Sequence, residues 1–154
     1  IKRDPGYAPA YAAVGRLHLA RRDLTNALAA FDKAASVAPS RSIIRINQAE
    51  LLAQTGQPDK ARELLLALTK ATPDYIPGWA ALARMHAAED NLPEALSALD
   101  RIFAVDFDHI ESRLMQNELL LKTGDASKAV TFMETVERRF PSVPLVQMQL
   151  ARSY

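Results

Sequence analysis

The chain has no cysteine, only three histidines, five glycines and one tryptophan. Without cysteine there is no disulfide, no thiolate metal site and no cysteine nucleophile. The histidines, His18, His86 and His109, form neither an HExxH nor a His-x3-His pair, so a helical zinc site has no basis. Five glycines without GxGxxG or P-loop spacing exclude the usual phosphate cradles, and no serine sits in a G-x-S-x-G elbow. Aromatics are 6% of the residues and do not interleave with basic runs. Nineteen basic against eighteen acidic residues leave a net charge of +1. Neither a basic stripe for nucleic acid nor a polybasic membrane patch is present. No apolar run approaches the ~18 residues that suggest a membrane span, and the start shows no signal-peptide pattern. No catalytic residues, cofactor or metal are therefore expected. The lack of cysteine suits a reducing cytosol and a bacterial periplasm equally.

What is present is a period. Ala8 to Arg41 reads as two helices and a turn: Tyr11, Val14, Gly15 and His18 at helical spacing, then Ala27, Phe31 and Ala34, with Pro39 closing. The same frame runs on ungapped as 42–75, 76–109 and 110–143, with partial repeats at 1–7 and 144–154. All nine prolines fall at repeat junctions or in a first helical turn, none in a helix interior, where each would cost ~3 kcal/mol. Helices are expected near 9–21, 25–37, 43–55, 58–71, 77–88, 93–105, 110–122, 126–139 and 144–154. Gly56 and Gly124 stand where a first helix must end in a left-handed residue. Asn91 with Glu94, and Asp108 with Glu111, have capping-box spacing.

The pattern resembles the tetratricopeptide repeat: W-x2-L-G-x2-Y, then A-x3-F, then P, at a period of ~34. The resemblance covers essentially the whole chain. It implies an all-α, right-handed superhelix in a single domain over 1–154: four full repeats with partial repeats at both ends. It also implies a non-catalytic scaffold that binds a protein or peptide partner. Each full repeat has a first helix (A) and a second helix (B). Ala27, Ala61, Ala95 and Ala129 hold one position of helix B, and Gly15, Ala49 and Ala83 the facing position of helix A. Asn117 breaks that pattern and should widen its hairpin or need a hydrogen-bond partner.

Alternate repeats are more alike. The first and third share Pro9/Pro77, Tyr11/Trp79 and His18/His86. The second and fourth share Arg45/Arg113, Gln48/Gln116 and Gly56/Gly124. A pair of unlike repeats, 68 residues, is the larger period. His18 and His86 occupy the family's tyrosine position and read as packing residues. Trp79 takes the large-aromatic position. Arg45 and Arg113 replace large apolar residues, and their stems should lie on apolar surface with the heads in water.

In the family the concave groove is lined by positions two, five, nine, twelve and thirteen of helix A, a partner-binding face that here implies Arg16, Ile43, Ile46, Glu50, Arg84, Leu114, Glu118 and Arg152, with Asn47 at position six added from the clamp pattern below. Position nine alternates in sign, Arg16, Glu50, Arg84, Glu118, Arg152. These charges either neutralise one another or set the register of a bound peptide or helix. Repeats that clasp the acidic C-terminus of heat-shock chaperones need a set that here reads Ala12, Arg16, Asn47, Pro77 and Ala81. Only Asn47 agrees, so that clamp is not expected. Two other readings stay open. One is an adaptor or regulatory module of a larger enzyme or a secretion assembly, such as bacterial exopolysaccharide export. The other is end-to-end self-association through apolar terminal faces, with Leu145, Met148 and Leu150 packing back on the last B helix.

Overall fold

The computed structural model describes residues 6–124 and 126–154. The expected tail of a preceding repeat, with Pro5, falls mainly outside them. Among the described residues all regular structure is helical. The order is α1 (Ala8–Ala20), α2 (Leu24–Val37), α3 (Ile43–Gln54), α4 (Pro58–Ala71), α5 (Ile76–Ala88), α6 (Leu92–Val105), α7 (Ile110–Lys122), α8 (Ala126–Arg139) and α9 (Pro144–Ser153). The chain divides into two compact units, Ile1–Leu82 and Ala83–Tyr154.

In the first unit α1 packs on α2, α2 on α3, and α3 on α4. Its core joins Ala8 and Ala12 of α1, Ala27, Phe31, Ala34 and Ala35 of α2, and Ile44 and Leu51 of α3. In the second unit α7 packs on α8 and α9. There Leu114, Met133, Val136 and Val146 form a core backed by Phe132, Phe140 and Leu150. The alanines of helix B and the large residues four places on, Phe31, Leu65, Leu99 and Met133, are all buried. A small residue lets the helix axes approach, and its large neighbour fills the space beside it.

Each turn from helix A to helix B holds one residue with positive φ: Arg22 at 59°, Gly56 at 77°, Asp90 at 61° and Gly124 at 78°. Glycine takes this conformation without strain, whereas arginine and aspartate do so at some cost. The caps differ from the sequence expectation. Asp23 caps α2 and Ser42 caps α3, each accepting from a backbone N–H. Asn91 makes no side-chain cap to α6, and its amide reaches Glu89 instead. His109, not Asp108, caps α7, accepting from Ser112 N at 3.3 Å. Asp108 is drawn away by Arg139.

Position four of helix A has one role behind three residue types. Trp79 Nε1 donates to Pro73 O at 2.8 Å, Arg113 Nη2 to Phe107 O at 2.9 Å and Gln147 Nε2 to Pro141 O at 2.9 Å. Arg45 Nη2 reaches Ala38 O at a longer 3.4 Å. The position supplies an N–H that ties helix A to the turn before it. The arginine heads, half-buried, serve the backbone as well as reaching solvent. Trp79 is itself only half-buried. Trp79→Phe keeps most of the ring and loses the donor, so it should cost about 0.5–1.5 kcal/mol. Thermal unfolding checks this, and an unchanged midpoint would show that the bond contributes nothing.

Candidate partner-binding faces

The position-nine side chains are all exposed: Arg16 and Glu50 in the first unit, Arg84, Glu118 and Arg152 in the second. Each follows position eight directly and so lies about 100° round the helix from it. Glu118 accepts a hydrogen bond from Gln149 Nε2 at 3.3 Å, so its nearest α9 partner is an amide. Ile43, in the first turn of α3, is 56% exposed, and Asn47 is half-buried.

Ile46 and Leu114, both at position five, are placed differently from the sequence expectation. They are 2% and 6% exposed and belong to the core. Leu114 shows why, since it lies among Met133 and Val136 of its own helix B and Val146 of the next helix A. In these two repeats position five closes between successive elements and presents no apolar step to a partner. Met148, the position-five residue of α9, is 51% exposed, and Leu145 is 44% exposed. The expectation that Leu145 and Met148 pack inward is thus corrected. Val146, Gln149 and Ser153 are the buried face of α9, with Leu150 beside them.

The break at Asn117 is met by a hydrogen-bond partner. Asn117 is fully buried, and its Nδ2 donates to Ser153 Oγ at 3.0 Å, while Ser153 Oγ can donate to Gln149 O at 3.0 Å. Two of the histidines stand at helix caps, His18 at that of a helix B and His109 at that of a helix A. His18 Nδ1 lies 3.0 Å from Asp23 Oδ2, at the cap of α2. Asn26, through its side-chain amide and its backbone N–H, holds the Asp23 carboxyl below its ordinary value, and His18 adds to this. His86 is buried, and among the described residues its Nδ1 has no partner. Among the described residues no group of three histidine, aspartate or glutamate side chains could hold a metal ion, and no helix is long and apolar enough to cross a membrane.

A cluster that the repeat pattern did not announce lies on the second unit. Four of the five phenylalanines gather around two arginines. The Arg113 guanidinium lies 3.9 Å from the Phe103 ring centre and 4.5 Å from that of Phe107, and Arg139 lies 5.4 Å from Phe107. Arg139 grips Asp108 with two bonds, Nε to Oδ1 at 2.5 Å and Nη2 to Oδ2 at 2.7 Å. That grip holds the Asp108 carboxyl below its ordinary value. Burial pushes the Arg113 guanidinium down, an effect that nearby Asp108 partly offsets. Phe132 and Phe140 border the same crevice. The signal was available as the pairs Phe103/Phe107 and Phe132/Phe140, but their meeting requires the packing of α6, α7 and α8.

Residues 18–85 match the tetratricopeptide repeat family. A comparison with curated proteins finds no match. Solved structures share the fold. The chain aligns with a tetratricopeptide repeat protein from Parabacteroides merdae with a TM-score of 0.77 at 19% identity, covering 98% of this chain and 59% of that one. It aligns with MamA with a TM-score of 0.69 at 17% identity, covering 96% and 81%. It aligns with YrrB, described as a tetratricopeptide repeat protein with an unusual peptide-binding site, with a TM-score of 0.68 at 19% identity, covering 94% and 75%. Residues 18–85 thus carry tetratricopeptide repeats, and the solved structures share the fold over nearly the whole chain.

Proposed function

We propose that this chain is a non-catalytic interaction scaffold that binds a peptide or helix of a partner protein along its A-helix faces. The family is in general one of protein–protein interaction modules, and YrrB is described as having a peptide-binding site. The observation that carries the reading is the exposure of all five position-nine charges, Arg16, Glu50, Arg84, Glu118 and Arg152. Ile43 stands exposed seven residues before Glu50 and supplies an apolar contact. Ile46 and Leu114 support the face from beneath. Within each unit the sign alternates, Arg16 with Glu50 and Arg84 with Glu118 and Arg152, so each favours a partner of mixed charge over a uniformly acidic or basic one. An exposed ion pair contributes only ~0–1 kcal/mol, so the charges are not needed for folding.

The test is selection of binders from a random peptide library, repeated with the double variant Glu50→Lys/Glu118→Lys. The native chain should enrich peptides of mixed charge, and the variant should lose them at least about tenfold. Equal enrichment by both chains would sink the reading. A second reading is self-association through α9, favoured by the exposed Leu145, Met148 and Tyr154. It predicts a mass that grows with concentration and returns to monomer in Met148→Glu.

A further inference from the structure

The two units carry a crevice at the same place in the 68-residue period, and in only one of them does the chain itself supply rings and a carboxylate to the arginine. In the first unit the crevice is bordered by Ser40, Arg45, Leu64, Ala67, Leu68 and Ala71, with a volume of about 250 Å3. In the second the corresponding borders include Arg113, Phe132 and Arg139, and the volume is about 170 Å3. Both arginines stand at position four of helix A and reach toward helix B.

Their surroundings differ in kind. Arg113 stacks on Phe103 and Phe107, donates well to Phe107 O, and has the Asp108 carboxylate nearby. At the matching places beside Arg45 the chain has Ala35, Pro39 and Ser40. Arg139, which anchors Asp108, is matched by Ala71. Arg45 therefore has neither ring nor carboxylate. Among the described residues it makes one long bond, Nη2 to Ala38 O at 3.4 Å, and no ion pair. Its Nε is buried without any acceptor. A half-buried guanidinium with an unmet N–H and no counter-charge is unfavourable, and an incoming carboxylate answers both deficits.

The geometry points to the Arg45 crevice as a docking site for a peptide that carries a carboxylate beside a large apolar side chain, preferably aromatic. The carboxylate engages the Arg45 guanidinium, and the ring fills the space over Leu64, Ala67 and Leu68 that alanines leave open. The occupant's chemistry is read from the second unit, where Phe107 and Asp108 supply that pair from within. The site is built from the turn before α3, the first turn of α3 and α4, and is separate from the position-nine charges.

The probe is the capped tetrapeptide Ser-Phe-Asp-Ser, with Ser-Phe-Asn-Ser and Ser-Ala-Asp-Ser as controls. Binding is followed by 1H–15N spectra that resolve the arginine Nε–H signals. A saturable shift of the Arg45 signal is expected, with the Arg113 signal unmoved. Each control and Arg45→Gln should bind at least about tenfold more weakly, the usual scale for one charge-assisted contact or one buried ring. Ser40→Asp, an exposed substitution that places a carboxylate where the second unit has one, should block the probe while the helical spectrum is retained. Glu50→Lys/Glu118→Lys should bind it normally, which separates this site from the A-helix faces. No saturable shift at Arg45, equal binding of the asparagine control, or unchanged binding by Ser40→Asp would each overturn the proposal.

Discussion

Phe31→Ala is expected to destabilise the first unit by about 3–5 kcal/mol, as truncation of a fully enclosed aromatic does. Phe31 is 1% exposed and lies in the cluster that ties α1, α2 and α3 together. Its ring occupies room that exists because residue 15 is glycine. A β-carbon there would fall 2.8 Å from Phe31 Cδ2 and Cε2, closer than packed carbons tolerate. Gly15→Ala gains ~1 kcal/mol in helix propensity but overpacks a ring that cannot retreat, so a net loss of about 1–2 kcal/mol is expected. The second and third repeats solve the same contact with Ala49 and Leu65, and with Ala83 and Leu99. The double variant Gly15→Ala/Phe31→Leu recreates that pairing. It should be more stable than the sum of the single effects by about 0.5–3 kcal/mol. Urea unfolding of the four proteins measures this coupling. Strict additivity would show that glycine and phenylalanine are not matched to one another.

Ser153→Ala should cost more than Asn117→Ala, although the asparagine is the more buried and more polar residue. Without Ser153 the Asn117 amide loses its hydroxyl partner in a closed site. A stranded buried donor costs about 1–3 kcal/mol. Without Asn117 the Ser153 hydroxyl still donates to Gln149 O within α9. Position eight then becomes alanine, as in the second and third repeats, and the loss should stay within about 1 kcal/mol. Thermal unfolding ranks the two, and hydrogen exchange should show the damage of Ser153→Ala concentrated in α9. The reverse ranking would mean that the amide anchors α9 by more than its desolvation costs.

The helices were readable because several independent signals agree on one frame. Pro9, Pro58, Pro93 and Pro144 open helices, Gly56 and Gly124 end them, and the alanines of helix B recur at one spacing. The exposure of position nine was readable for the same reason, since it follows from helical phase alone. Position five was not. Whether Ile46 or Leu114 faces water depends on how closely its own B helix and the next A helix approach, which no local pattern states. The caps of α6 and α7 were misplaced because a capping box competes with other partners: the Asn91 amide turns to neighbouring Glu89, and Arg139 outcompetes the helix end for Asp108. The Arg45 crevice was invisible because its walls are alanine and leucine, residue types that carry no chemical signature until packing leaves one arginine without company.

The uneven placement of the aromatic residues gives the molecule two natural optical reporters. The single tryptophan, Trp79, belongs to the first unit, and four of the five phenylalanines belong to the second. Tryptophan fluorescence therefore follows the first unit, while the fine structure of phenylalanine in the near-ultraviolet circular dichroism spectrum is weighted to the second. With no cysteine in the chain, a single introduced thiol can carry a dye at any chosen repeat. Whether the two units melt as one cooperative block or in sequence can thus be seen in the unlabelled protein, from whether the two signals change together.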